Sequence, residues 1–124
     1  MLEAMKLIKF EEDPACIKKI EAKSKRIDPT KQLILFIEPY GAVLSLLKRA
    51  IDRGFQIVVF TADTDQRKVP DSIVNEVSLA IQVDTINEAK LRILVRLLRS
   101  FHSIDAVIAY FGRNERLFQS ESEH

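Results

Sequence analysis

The chain has 124 residues, 47% of them hydrophobic, with 19 basic and 18 acidic side chains and a formal net charge of +1. That length fits one domain able to bury a core without disulfides, and the near-neutral balance supplies no long-range field for nucleic acid or a membrane surface. The single Cys16 has no internal partner, no apolar run reaches the ~20 residues of a membrane span, and the start MLEAMKLIKFEEDP lacks the basic head of a secretory leader, so a cytoplasmic protein is expected.

In chain order, AMKLIKF is ambiguous between helix and strand. DPACIKKIEAKSKRI then reads as an amphipathic helix: Asp13 is the N-cap, Pro14 takes the first helical position, and Ile17, Ile20, Ser24 and Ile27 recur on one face. This helix is expected to be a packing arm, and Asp28-Pro29 closes the region. LILFI, from Leu33, is continuously apolar, as a strand covered on both faces should be. The span from Gly41 to Arg53 is helical, with Val43, Leu44, Leu47, Ala50 and Ile51 in one stripe and Gly54 placed for a left-handed C-cap. FQIVVFTA is the second strand, DTDQRKVPDSIVNE a loop with room for a short helix, and SLAIQV the third strand. NEAKLRILVRLLRSF is a long helix, IDAVIAYF the fourth strand, and SESEH a polar tail.

Strands joined by helical crossovers pair in parallel. The expected fold is therefore α/β: a three-layer, Rossmann-like domain with a mostly parallel sheet of about four strands, plus an N-terminal helical arm. The organisation reads as an extension over 1–30, the Rossmann-like domain over 31–118 and a tail over 119–124. Ligands of such sheets bind beyond the carboxyl ends of the strands. Candidate site residues therefore lie in EPYG (Glu38 to Gly41), TADTD (Thr61 to Asp65), DTIN (Asp84 to Asn87) and YFGRNE (Tyr110 to Glu115).

A dinucleotide cradle needs three glycines in the first turn, and only Gly41 is there, although Asp63 stands where a ribose-binding carboxylate would. The Walker A lysine pattern is missing as well. A receiver domain would need an acidic pair after its first strand and a late lysine-bearing strand, and Glu38 and Asp84 meet that pattern only in part. His102 ends a helix, where an imidazole suits the dipole. Cys16 sits among isoleucines as a small hydrophobe, and Ser24, Ser45, Ser72 and Ser103 lack the turn of a nucleophile elbow. Arg92, Arg96 and Arg99 form a stripe without interleaved aromatics, and Glu88 stands four residues before Arg92, which reads as a solvated face. No catalytic or metal-ligating set emerges.

The stretches LILFIEPYGAVLSLLKRAIDRGFQIVVFTAD, VDTINEAKLRILVRLLRSFHSIDAVIAYF and YFGRNERLF lie within the region from about Gln32 to Phe118. They resemble the pre-ATP-grasp domain, the N-terminal Rossmann-like domain of ATP-grasp carboxylate-amine ligases and biotin carboxylase-like enzymes. The resemblance implies that ATP and Mg are held by a separate ATP-grasp domain, in the same longer chain or another subunit, so that this domain needs no glycine cradle. It implies a small-molecule substrate met by Glu38, Pro39, Tyr40 and Gly41 and by Gly112, Asn114 and Glu115, with Thr61 and Asp63 as a nucleotide-side loop. Two departures stand out: about thirty residues precede the first strand of the resemblance, and the resemblance ends near Phe118 with no ATP-grasp site in the residues after it. The expectation is a substrate-side domain that is not catalytic alone. The alternative is a free-standing, non-catalytic Rossmann-like interaction module that oligomerises through its N-terminal helix, a homodimer being one such form.

Overall fold

The apolar runs pair side by side in one parallel sheet, and helices alternate with them along the chain. The structure is a computed structural model and describes residues 7–64 and 68–109. Its elements are β1 (Leu7–Lys9), α1 (Pro14–Ser24), β2 (Leu33–Ile37), α2 (Ala42–Asp52), β3 (Gln56–Thr61), α3 (Asp71–Val74), β4 (Leu79–Gln82), α4 (Glu88–Arg99) and β5 (Ala106–Ala109).

The strand order is β1-β4-β3-β2-β5, and every pair is parallel. Counted from β2, the last four strands lie third, second, first, fourth, which is the order that begins a Rossmann sheet. The steps from β2 to β3 and from β3 to β4 run one way across the sheet, whereas those from β1 to β2 and from β4 to β5 run the other way. Right-handed crossovers must then place α2 and α3 on one face and α1 and α4 on the other.

The two cores follow that division. Leu33, Leu35 and Ile37 of β2 pack with Ile20 of α1 and with Leu91, Leu94, Val95 and Leu98 of α4. The alternate residue Phe36 packs with Leu47 and Ala50 of α2 and with Ile73 and Val74 of α3. Since β2 is buried from both sides, a continuous apolar run fits it better than an alternating one. The result is the α/β, three-layer, Rossmann-like architecture that the strand and helix pattern predicts.

The local signals are met at several ends. Asp13 Oδ1 accepts the Cys16 N–H at 2.8 Å, and Pro14 opens α1. Gly54 takes φ +92°, a conformation that costs glycine nothing, while its N–H and that of Phe55 close the end of α2 on Ile51 and Ala50. The long helix is slightly shorter than NEAKLRILVRLLRSF, with Asn87 as its N-cap accepting the Lys90 N–H.

One feature differs from the sequence reading. The sheet has five strands rather than about four, because LIK forms β1 and pairs with β4 in the register Leu7 to Ala80, Ile8 to Ile81 and Lys9 to Gln82. The described part of the N-terminal segment packs against the sheet. Ile8, Phe10, Ile20 and Ile27 belong to the same core as β2 and α4. A two-bond clamp fixes its end: the Asp28 N–H donates to Gln56 Oε1 at 2.8 Å and Gln56 Nε2 donates to the Asp28 carbonyl at 2.7 Å.

Candidate functional site

Beyond the carboxyl ends of β2, β3 and β4, one carboxylate gathers three loops. Glu38 directly follows β2, its side chain is turned inward, and the residue is 3% exposed. Its N–H continues the ladder to the Phe60 carbonyl at 2.8 Å. One carboxylate oxygen accepts from Thr61 Oγ1 at 3.3 Å. The other accepts from the Ala62 N–H at 3.0 Å and from Thr85 Oγ1 at 2.5 Å. Thr61 and Thr85 are themselves buried. A buried carboxylate is tolerable only where donors replace its water, and three donors from two other loops do so here.

The backbone around this tie is unusual. Glu38 has φ +51° and Asp63 has φ +57°, the only described non-glycine residues with positive φ. Each such conformation costs about 1 kcal/mol or more and persists when its surroundings over-determine it. For Glu38 the determinant is the set of bonds above. For Asp63 it is the Thr61 hydroxyl, which accepts the Asp63 N–H at 3.0 Å while donating to Glu38. Gly41, at φ +58°, then turns the chain into α2, which starts without a side-chain cap and so directs the positive end of its dipole toward this edge of the sheet.

The structure thus brings Glu38, Thr61 and Asp63 together. Pro39 is buried beside them, whereas Tyr40 is 37% exposed and Gly41 lies at the surface. Ile86, on the loop after β4 at the same end, is 77% exposed. Gly112, Asn114 and Glu115, with Tyr110 and Asp65, lie outside the described residues. Thr85 is the residue that sequence reasoning leaves without a role. Only its place in DTIN, at the carboxyl end of a strand, points toward it. Through these contacts Glu38 is a positioning residue whose oxygens serve the protein's own donors, and the surface it organises is formed by Tyr40, Gly41, Asp63 and the β4–α4 loop.

The other singled-out residues have structural contacts. His102 Nε2 lies 2.8 Å from the Ser24 carbonyl, joining the end of α4 to the end of α1. Cys16 Sγ accepts the Glu11 N–H at 3.3 Å and donates to the Lys9 carbonyl at 3.4 Å, which closes the β1–α1 turn. Arg92 approaches Glu88 at 3.9 Å on the outer face of α4, and Arg96 and Arg99 are exposed. Lys25 Nζ sits 5.8 Å from the centre of the Phe101 ring. Among the described residues no three His, Cys, Asp or Glu side chains are grouped to hold a metal ion, and no helix is long and apolar enough to cross a membrane. No family model, curated protein or solved structure matches the chain.

Proposed function

We propose that this chain is the substrate-side domain of an ATP-dependent carboxylate-amine ligase of the ATP-grasp type. It would work in the cytoplasm with a partner domain that supplies ATP and Mg. The observation that carries the reading is the Glu38 tie, which joins the loops after β2, β3 and β4, the first two strained at Glu38 and Asp63, at the edge where open α/β sheets receive ligands. Further support comes from the third-second-first-fourth strand order over Leu33 to Ala109 and from the β2–α2 turn, whose one glycine leaves the phosphates to another domain. Exposed Tyr40 and Ile86 flank this edge, as suits a surface completed by a second domain or a substrate.

The alternative of an oligomerising module draws no support from α1, because Ile20 is buried in the chain's own core and Cys16 and Ile17 pack against it. A thermal-shift series against common amino acids, bicarbonate, ADP and Mg-ATP tests the proposal. A ligand at a hundred times its dissociation constant stabilises by about 2.7 kcal/mol. A shift with an amino acid and none with Mg-ATP is expected, accompanied by amide shifts at Tyr40, Ala62 and Thr85. A shift with Mg-ATP alone, or with no carboxylate or amine at all, would overturn the reading.

A further inference from the structure

α1 and α4 pack beside each other on one face of the sheet. Near their C-terminal ends His102 Nε2 meets the Ser24 carbonyl at 2.8 Å. N-terminal to that tie a groove of about 500 Å³ lies between the two helices, with Pro14, Ile17 and Ile93 as its apolar lining. Pro14, Ile17, Lys18 and Glu21 stand at i, i+3, i+4 and i+7, so one stripe of α1 forms a wall about two turns long. On α4 the core takes the neighbouring Leu94 and Val95 and leaves Ile93 37% exposed.

The rim is acidic. Glu12, Asp13 and Glu21 line the groove against a single cation, Lys18. Asp13 caps α1, and Glu12 stands at the positive end of that helix's dipole. Glu21 has no such local reason, because it lies toward the C-terminal end of α1, where a carboxylate opposes the dipole. Among the described residues neither Glu12 nor Glu21 is ion-paired. An apolar lining with a net-negative rim is complementary to an aliphatic side chain flanked by cations, and a groove between two helices is the shape that a third helix fills. Two copies of this chain about a two-fold axis would set groove against groove and fill neither. The chain's own exposed Leu46, with Arg49 beside it on α2, would seat only head to tail, in a contact that propagates without closing.

We propose that this groove docks a helix of another protein, one that presents an aliphatic stripe to Ile17 and Ile93 and carries lysines or arginines beside it for Glu12 and Glu21. Anchors at i, i+3 or i+4, and i+7 of that helix match the two-turn wall of α1. The inference is independent of the ligase reading, since the groove lies between α1 and α4 and not at the edge organised by Glu38.

A synthetic helical peptide of leucine and lysine, about fourteen residues or four turns long, tests it on the full chain beside a second peptide with glutamate at every lysine. The lysine peptide should shift the amides of Ile17, Glu21 and Ile93 and bind at least roughly tenfold more tightly than the glutamate peptide. Ile93→Ser should weaken the lysine peptide by at least roughly tenfold. Glu12→Lys together with Glu21→Lys should reverse the preference between the two peptides, and an unchanged far-UV spectrum shows that each variant is folded. No amide shift at about 1 mM lysine peptide overturns the proposal. So does equal affinity for the two peptides, or binding that survives both sets of substitutions. A molecular mass that rises with concentration in the parent and not in Ile93→Ser also overturns it, in favour of a second copy in the groove.

Discussion

Replacing Glu38 tests the physical basis of the carboxyl edge. In Glu38→Ala the Thr61 hydroxyl, the Ala62 N–H and the Thr85 hydroxyl all lose their acceptor, and both threonines are buried at 1% and 4% exposure. Hydrogen bonds to a charged group contribute about 1.5 to 3 kcal/mol each, but bonds that share one acceptor do not add. A loss of about 3 to 5 kcal/mol follows, a large part of the ~5 to 15 kcal/mol of a typical domain. Glu38→Gln should cost only about 1 to 2 kcal/mol. Its carbonyl can keep the Ala62 N–H, and its amide can donate to a threonine hydroxyl, which accepts as readily as it donates.

Glu38→Gly carries the sharpest sign. Glycine inside an ordinary element is worse than alanine by about 0.5 to 1 kcal/mol. At φ +51° the order should reverse, with glycine better than alanine by about 1 kcal/mol. Equilibrium urea unfolding followed by far-UV ellipticity measures all three variants. An alanine variant within about 0.5 kcal/mol of the parent would refute the claim that this carboxylate holds the loops. A glycine variant weaker than the alanine variant would refute the strain argument.

Four further outcomes follow from other parts of the structure. The Ser24 hydroxyl is fully buried without a hydrogen-bond partner, so Ser24→Ala should be neutral or stabilising by up to about 1 kcal/mol in urea unfolding, and a clear loss would mean that the hydroxyl has a partner. Gly54→Ala meets open space but must adopt φ +92°, and a loss of about 1 to 2 kcal/mol is expected, read as a lowered Tm. The Asp28 carboxylate accepts from the Thr30 hydroxyl and N–H, which holds its pKa below the ordinary 3.8; its contribution to stability is present above that value and fades as pH falls through the lower folded pKa, so an NMR titration should place its midpoint below 3.8 and Thr30→Val should raise it. Asp105→Ala removes the acceptor of the Leu33 N–H, 2.8 Å away, and should cost about 1 kcal/mol and speed exchange at Leu33 before the rest of β2.

Elements governed by their own residues are legible in the amino-acid order alone. LILFI and the apolar runs inside FQIVVFTA and SLAIQV form strands buried from both sides, and Asp13-Pro14 and Gly54 mark helix ends that the backbone obeys. β1 is not legible, because three residues cannot display a period and its identity as a strand comes from β4, more than seventy residues away. The same physical reason separates the two halves of the site. EPYG can be placed at the carboxyl end of a strand from local pattern alone, but the inward turn of Glu38 depends on Thr61 and Thr85, 23 and 47 residues distant. Glutamate in a turn is ordinarily solvated, and only the arrival of two hydroxyls and an amide from neighbouring loops makes burial the cheaper state. Strand order decides whether those groups arrive. The adjacency of β4, β3 and β2 sets the three carboxyl ends side by side, so that one side chain on the loop after β2 can span them. The site is therefore a consequence of topology: the crossovers that bury both faces of β2 are also what bring Thr61 and Thr85 within reach of Glu38.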